Sequence, residues 1–231
     1  MKTIRKHLEA LRIVRRNVYH PLVHKIHRKH KISRKTLFYI KEYGPHTNVS
    51  KTIIKESIKI LLFASIISSF GGLALEYVKE IFLSFTPLII LLPVLNDMIG
   101  DYGTIVSSRF STMLHEGKIR KKLLQNLELR RLILQISIIS IATTILSVII
   151  SLFISGLPDY SYIAKISFKI FLIAIIDTLL LLVILFLIAI SFGLYFYRKG
   201  EDPNNFLIPL STSVADFGNM IILSILVILF F

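Results

Sequence analysis

Cysteine is absent from the chain. Disulfides and thiolate metal centres are therefore excluded, and the redox compartment stays open. Acidic residues are scarce: 14 Asp and Glu stand against 28 Lys and Arg, a formal net charge of +14. No glycine-rich nucleotide loop occurs, so ATP-driven work by this chain alone is not expected. No apolar core follows the basic N-terminus within the first 30 residues, so no signal peptide is expected. The polar stretches are too short to hold a soluble catalytic domain, and no enzyme motif is visible.

Long apolar runs fill the sequence instead. It is 54% hydrophobic with mean hydropathy +0.69. Soluble domains are about 45–50% apolar and do not gather those residues into runs of about twenty. Five stretches here do: about 57–78, 85–112, 131–155, 166–197 and 206–230. Each meets the roughly 20 residues needed to cross a bilayer, and the fourth is long enough to tilt or bend. The expected fold is all-α, a polytopic membrane protein with five transmembrane helices. A β-barrel is excluded, because its strands would be about ten residues long with alternating polarity.

The positive charge is unevenly placed. Residues 1–59 hold 16 Lys and Arg, and residues 109–131 hold seven: Arg109, Lys118, Arg120, Lys121, Lys122, Arg130 and Arg131. Arg198 and Lys199 add two, while Lys79, Lys165 and Lys169 flank the intervening loops. Lys and Arg collect in cytoplasmic loops. The N-terminus and the 113–130 and 198–205 loops are thus expected inside, and the C-terminus outside, in a multi-pass cell-membrane protein. Residues 1–55 read as a basic, helical cytoplasmic region and 56–231 as the five-helix membrane domain, with a break at Gly44-Pro45.

In the basic region Ile4, Leu8, Leu11, Val14 and Val18 recur at helical spacing, with Arg5, Arg12, Arg15 and Arg16 around them. Two readings stand: a helix on anionic lipid headgroups, or one packed against the spans or a partner subunit. Nucleic acid is not expected, since aromatics are few and no known motif is present. His20, His24 and His27 share a helix face, with His30 close by, a spacing that can hold a transition metal. Lys25, Arg28, Lys29 and Lys31 surround them and would repel a cation, so a solvated or lipid-facing basic helix is the default.

Five acids fall inside or at the edges of spans: Glu76, Asp97, Asp101, Asp177 and Asp216. One charge at the bilayer centre costs roughly 2.5–3.5 kcal/mol. Five together approach the order of 10 kcal/mol, the whole net stability of a domain. They need partners, protons, water or a cation, and Arg109 is the one obvious basic candidate nearby. In the second span Asp97, Asp101, Thr104, Ser108 and Ser111 make one helical stripe; in the fifth, Thr212, Asp216 and Asn219 make another. These oxygen-only donors suit a hard cation such as Mg²⁺, which dehydrates reluctantly and takes only one or two carboxylates plus waters.

Not every acid points the same way. Asp216 stands mid-span without a basic neighbour. Asp97 and Asp101 either serve the cation or cap the break near Pro93 and Gly100. Glu76, beside Lys79 and Glu80, is either a vestibule ligand or an interfacial acid, and Asp177 either a structural acid or a ligand. Ser137, Ser140, Thr144, Ser147, Ser151 and Ser155 in the third span, and Ser65, Ser69 and Gly72 in the first, read as close helix-packing faces, the alternative being that some of them face the pore.

Two motifs carry a family resemblance. Pro93-Val94-Leu95, Gly100-Asp101, Thr104 and Ser108-Arg109-Phe110-Ser111-Thr112 resemble the second-span motif of MgtE-type divalent-cation transporters. They are closest to its eukaryotic solute-carrier relatives, with their P-x-L…G-N…T-x-x-x-S-R-x-S-T pattern. Glu201-Asp202-Pro203-Asn204-Asn205, Ile208-Pro209 and Ser211-Thr212-Ser213 leading to Asp216 resemble that family's D-P-D-N…I-P…T-S…D motif. The resemblance implies a homodimer of five-span protomers with an axial ion pore. It implies that Asp216 lines the cation site from both subunits and that the Gly-Asn pair, here Gly100-Asp101, contributes. The Asp is a departure that adds charge to the path. Bacterial members have a longer gap from that glycine to the arginine. They also carry cytoplasmic gating domains where this chain has its basic arm, so magnesium sensing by such domains is not carried over.

The expected function is transport of divalent cations, foremost Mg²⁺, across the cell membrane. The ion is cargo, and no cofactor or enzymatic activity is expected. Asp216 and Asp101 are the foremost metal ligands, with Asp97, Thr212, Asn219, Thr104 and Glu76 assisting. Two alternatives stay open: an exchanger coupled to Na⁺ or H⁺, and a non-transporting membrane scaffold.

Overall fold

The computed structural model describes residues 10, 21–31, 37, 49–119, 126–156, 160–199 and 201–231, without the side chains of 49, 51, 52, 55, 56 and 160–163. The Ile4–Val18 pattern, His20 and the Gly44-Pro45 break lie outside the described residues. All regular structure described is helical. Helix α1 spans Pro21–His30 and buries Val23 and Ile26 against Leu37, leaving His24, Lys25, Arg28 and Lys29 exposed. No group of three His, Cys, Asp or Glu able to hold a metal occurs among the described residues, so His24, His27 and His30 do not form one.

Five helices follow: α2 Val49–Ser84, α3 Thr86–His115, α4 Leu127–Ile154, α5 Tyr160–Lys199 and α6 Asn204–Phe230. Each is long and apolar enough to cross a membrane. At about 1.5 Å per residue, even the shortest exceeds the roughly 30 Å hydrocarbon layer. Their outward side chains are apolar and far from covered: Leu73 is 68%, Leu229 72% and Phe153 86% exposed. So large a continuous apolar surface is intolerable in water and is satisfied by acyl chains or by another chain.

The helix ends are set locally. Pro87 lies in the first turn of α3, where a missing N–H costs nothing. At the other end Gly117 takes φ +70°, and Lys118 N–H bonds back to Met113 O at 3.0 Å, a left-handed C-terminal closure. Asn126 caps α4 by accepting from Glu128 and Leu129 N–H, and its amide donates to Lys118 O at 2.6 Å. One side chain thereby joins the end of one span to the start of the next.

In the bundle α3, α5 and α6 pack on one another, α4 covers the side formed by α3 and α5, and α2 lies mainly along α6. The main core gathers Leu88, Leu91 and Leu95 of α3, Ile170, Ile173 and Leu181 of α5, and Ala215 and Leu223 of α6. Glycines set the closest approaches. A Cβ at Gly218 would collide with Leu181, and one at Gly193 would stand 2.9 Å from the Phe110 ring. The α4 stripe behaves as a packing face: Ser140, Thr144 and Ser151 are buried, and Thr144 shares a 3.1 Å hydrogen bond with Thr178 of α5.

The α2 stripe requires a correction. Ser65, Ser69 and Gly72 are exposed, the two hydroxyls bond to their own helix, and nothing lies within 4 Å of Gly72. Helix α2 instead turns Ala64, Ser68, Gly71 and Val78 inward, one position back along the chain. A shift of one residue rotates the contact face by about 100°, and both stripes carry small residues.

Gly193→Ala is expected to strain the contact with Phe110 and Leu207 and to lower stability by about 1–3 kcal/mol. Gly72→Ala, in open space, is expected to leave stability unchanged or raise it by up to about 1 kcal/mol through helix propensity. Thermal unfolding of both variants in detergent checks the pair.

Candidate functional site

The second and fifth apolar stretches meet along α3 and α6. Both helices contain a proline, Pro93 and Pro209. Proline donates no N–H, so it weakens the ladder locally and leaves the carbonyl four residues back without its partner. In α6 the turn after the proline is rich in hydroxyls that bond back to their own helix: Ser211 and Thr212 both donate to Ile208 O at 3.1 Å, and Ser213 donates to Pro209 O at 2.9 Å. Thr212 also reaches Pro209 O at 3.1 Å. Its proton therefore serves its own helix, and only its lone pairs remain for anything else.

One turn beyond Thr212, Asp216 is half-buried between helices. Asn96 of α3 donates its Nδ2 to Asp216 Oδ1 at 2.7 Å. Asn219 of α6 donates its Nδ2 to Asn96 Oδ1 at 3.1 Å. Ser68 of α2 stands at 3.5 Å from Asp216 Oδ2, the outer limit of a hydrogen bond. Asn219 is fully buried. Three helices thus converge on one carboxylate through two carboxamides and a hydroxyl. Two turns beyond Asn96, Gly103 lets α6 approach so closely that a Cβ there would stand 3.2 Å from Ser211 Cβ. Ser107 then donates to Ser211 Oγ at 3.2 Å in the buried seam.

The expected site residues fall into two groups. Asp216 and Asn219 belong to this network, and Thr212 lies one turn away on the same helix. Asp97 and Asp101 are exposed on the flank of α3, Thr104 is half-buried beside them, and none of the three side chains bonds to a described residue. Asp216 is met by Asn96, the neighbour of Asp97, and by neither acid of α3. The expected α3 stripe is also divided, since Ser111 is fully buried while Asp97 and Asp101 face out. Glu76 is exposed and pairs with Lys79 one turn on. Asp177 is fully buried on the Ile170–Leu181 face, and neither of its oxygens bonds to a described residue.

Asn96 is the residue that charge-based reading passes over. It lies about 100° around the helix from Asp97 and shares the inward face of Gly103 and Ser107. That +7, +4 spacing of small and polar residues was present in the sequence as a signal.

At the far end of α3, His115 Nε2 stands 3.6 Å from the buried Asp202 Oδ1 and edge-on to Tyr197, 5.3 Å between ring centroids. Asp202 also accepts from Asn204 N–H at 3.1 Å, so it orders the start of α6. Within one protomer the arrangement offers a single fixed carboxylate, two carboxamides and several hydroxyls. Such a set suits a hard cation held through its water rather than a dehydrated cage.

A family model, MgtE, described as a divalent cation transporter, matches residues 92–226. That range takes in most of α3, all of α4 and α5 and nearly all of α6, including Asn96 and Asp216. No curated protein and no solved structure matches the chain.

The Ser107–Ser211 contact is expected to contribute about 0.6 kcal/mol, typical of a hydroxyl bond between membrane helices. A double-mutant cycle with Ser107→Ala and Ser211→Ala, read by unfolding in detergent, measures that coupling.

Proposed function

The chain belongs to the MgtE family of divalent cation transporters, and on that footing we propose that it carries Mg²⁺ across the cell membrane along a path lined by Asp216. The observation that carries the reading is the half-buried Asp216 carboxylate, mid-span, bound by neutral donors from two other helices and paired with no cation among the described residues. Its negative charge is left for an ion from outside the chain. Mg²⁺ keeps its waters, and a single carboxylate with amide and hydroxyl neighbours grips a hydrated ion loosely enough to release it.

Asp97 and Asp101 extend the reading to a second copy. They are exposed on the protomer's flank within a span, where facing acyl chains would cost roughly 2.5–3.5 kcal/mol each. A homodimer that places this flank of α3 along a shared wet path covers both acids, with Thr104 and Thr212 supplying further oxygens. Asn219 supports the path from within the bundle, and Glu76 stands toward the end of the path as a vestibule acid. In this arrangement the N-terminus is cytoplasmic and the C-terminus extracellular. Residues 1–59 carry 16 Lys and Arg against three Glu, and this excess rests on anionic headgroups of the inner leaflet.

Asp216→Asn is expected to abolish Mg²⁺ uptake into proteoliposomes while the protein still assembles; full uptake by that variant would remove the reading. The absence of cysteine makes the dimer directly testable. Ile105→Cys, on the exposed flank one turn past Asp101, is expected to give a covalent dimer with a short bis-maleimide in membranes, and a purely monomeric product would count against the shared path.

A further inference from the structure

We propose that Asn96 is a positioning residue that sets how tightly Asp216 grips its cation, an inference that rests on Asp216 lining the ion path. Nothing in the two motifs that mark the family includes this residue. The geometry singles it out. A carboxamide has one accepting and one donating end, and here both are assigned by their partners. Asn219 Nδ2 donates to Asn96 Oδ1 at 3.1 Å, so Asn96 Nδ2 is the end that meets Asp216 Oδ1 at 2.7 Å. Turning the amide over would set oxygen against carboxylate oxygen and NH₂ against NH₂. The direction of donation, Asn219 to Asn96 to Asp216, is therefore fixed.

Burial is deepest at the start of the relay: Asn219 is fully buried, and Asn96 and Asp216 are both half-buried. The relay is anchored in the bundle and ends where the carboxylate meets the path. The two carboxylate oxygens are treated unequally. Oδ1 holds a short, charge-assisted bond, whereas Oδ2 has, among the described residues, only Ser68 at 3.5 Å. Asn96 thus occupies one oxygen and leaves the other for the water shell of an ion.

The consequence concerns rate as well as affinity. A carboxylate free at both oxygens offers its full charge to a cation and its water shell. A charge-assisted hydrogen bond to one oxygen draws off part of that charge and leaves one oxygen for the ion, which is then held more weakly and released sooner. Conduction requires binding favourable enough to enter and weak enough to leave, and Mg²⁺ is slow to lose and regain water. Asn96 therefore favours throughput over grip. The charge it moderates is the one the ion must pass.

The test is Mg²⁺ flux into proteoliposomes at varied Mg²⁺ for Asn96→Ala, Asn96→Ser and Asp216→Asn, with size-exclusion in detergent to count folded protein. Asn96→Ala is expected to lower the half-saturating Mg²⁺ concentration by about ten- to a hundredfold and the maximal flux per folded protein by a similar factor, the range that losing one hydrogen bond to a charged group implies. Asn96→Ser keeps a hydroxyl donor and is expected to restore part of both. A merely structural role would lower the amount of folded protein at unchanged half-saturation, and that result overturns the proposal, as does an Asn96→Ala profile equal to the unmodified chain. If Asp216→Asn transports fully, the ion-path reading itself fails. If Asp216→Asn is inactive and Asn96→Ala is unaltered, only the role of Asn96 fails.

Discussion

A carboxylate halfway along an apolar helix has no bulk water to solvate it, so its donors must come from neighbouring helices or from what passes between them. In this chain Asp216 recruits Asn96 from α3 and Ser68 from α2. Much of the bundle's arrangement can be followed outward from that need. Helix α6 has to touch both α2 and α3, and it does so along its length. The approach to α3 must be close enough for hydrogen bonds between short side chains, which is why Gly103, Ser107 and Ser211 follow in the next turns. On the other side Gly71 of α2 admits Met220. Hydrocarbon packing alone would accept many rotations of these helices. Directional bonds to one acid accept few.

The five spans were legible because bilayer crossing leaves an apolar run of fixed minimum length. Their helices were less so at the ends. The first span reads as about 57–78, yet α2 is helical from Val49 to Ser84, because helix geometry continues into polar residues that apolarity does not report. Likewise α4 begins at Leu127, four residues before the expected start, since Asn126 caps it and Glu128, Arg130 and Arg131 lie in its first turns.

The inward face of each polar helix was harder to read. On α3 the polar residues occupy a sector of about 140° from Asn96 round to Asp101, counted at about 100° per residue. Weighing residues by charge drew attention to the acids at one edge. The bundle uses the amide at the other edge as the partner of Asp216. A carboxamide costs less to insert than a carboxylate, so it stands out less in a greasy segment while fitting more readily inside it. The same ambiguity moved the contact face of α2 from Ser65, Ser69 and Gly72 to Ala64, Ser68 and Gly71. Periodicity establishes that a stripe exists; the neighbouring helix decides which of two adjacent stripes it takes.

The lopsided placement of α2 carries a mechanical meaning. It leans mainly on α6, while α4 holds to α3 and α5. Helix α6 lies between α2 and the α3–α5 pair and packs on all three, and the Asn96–Asp216 bond fixes its register against α3. Sliding of α6 past α3 is ratcheted by side chains, not smooth. One helical turn is about 5.4 Å. A slip of that size along α6 would present Asn96 with Thr212 in one direction and Met220 in the other, a hydroxyl or a thioether in place of the anion. The carboxamide therefore works as a detent: it clicks into a single position along α6, and leaving it exchanges an ionic partner for a weaker one on either side.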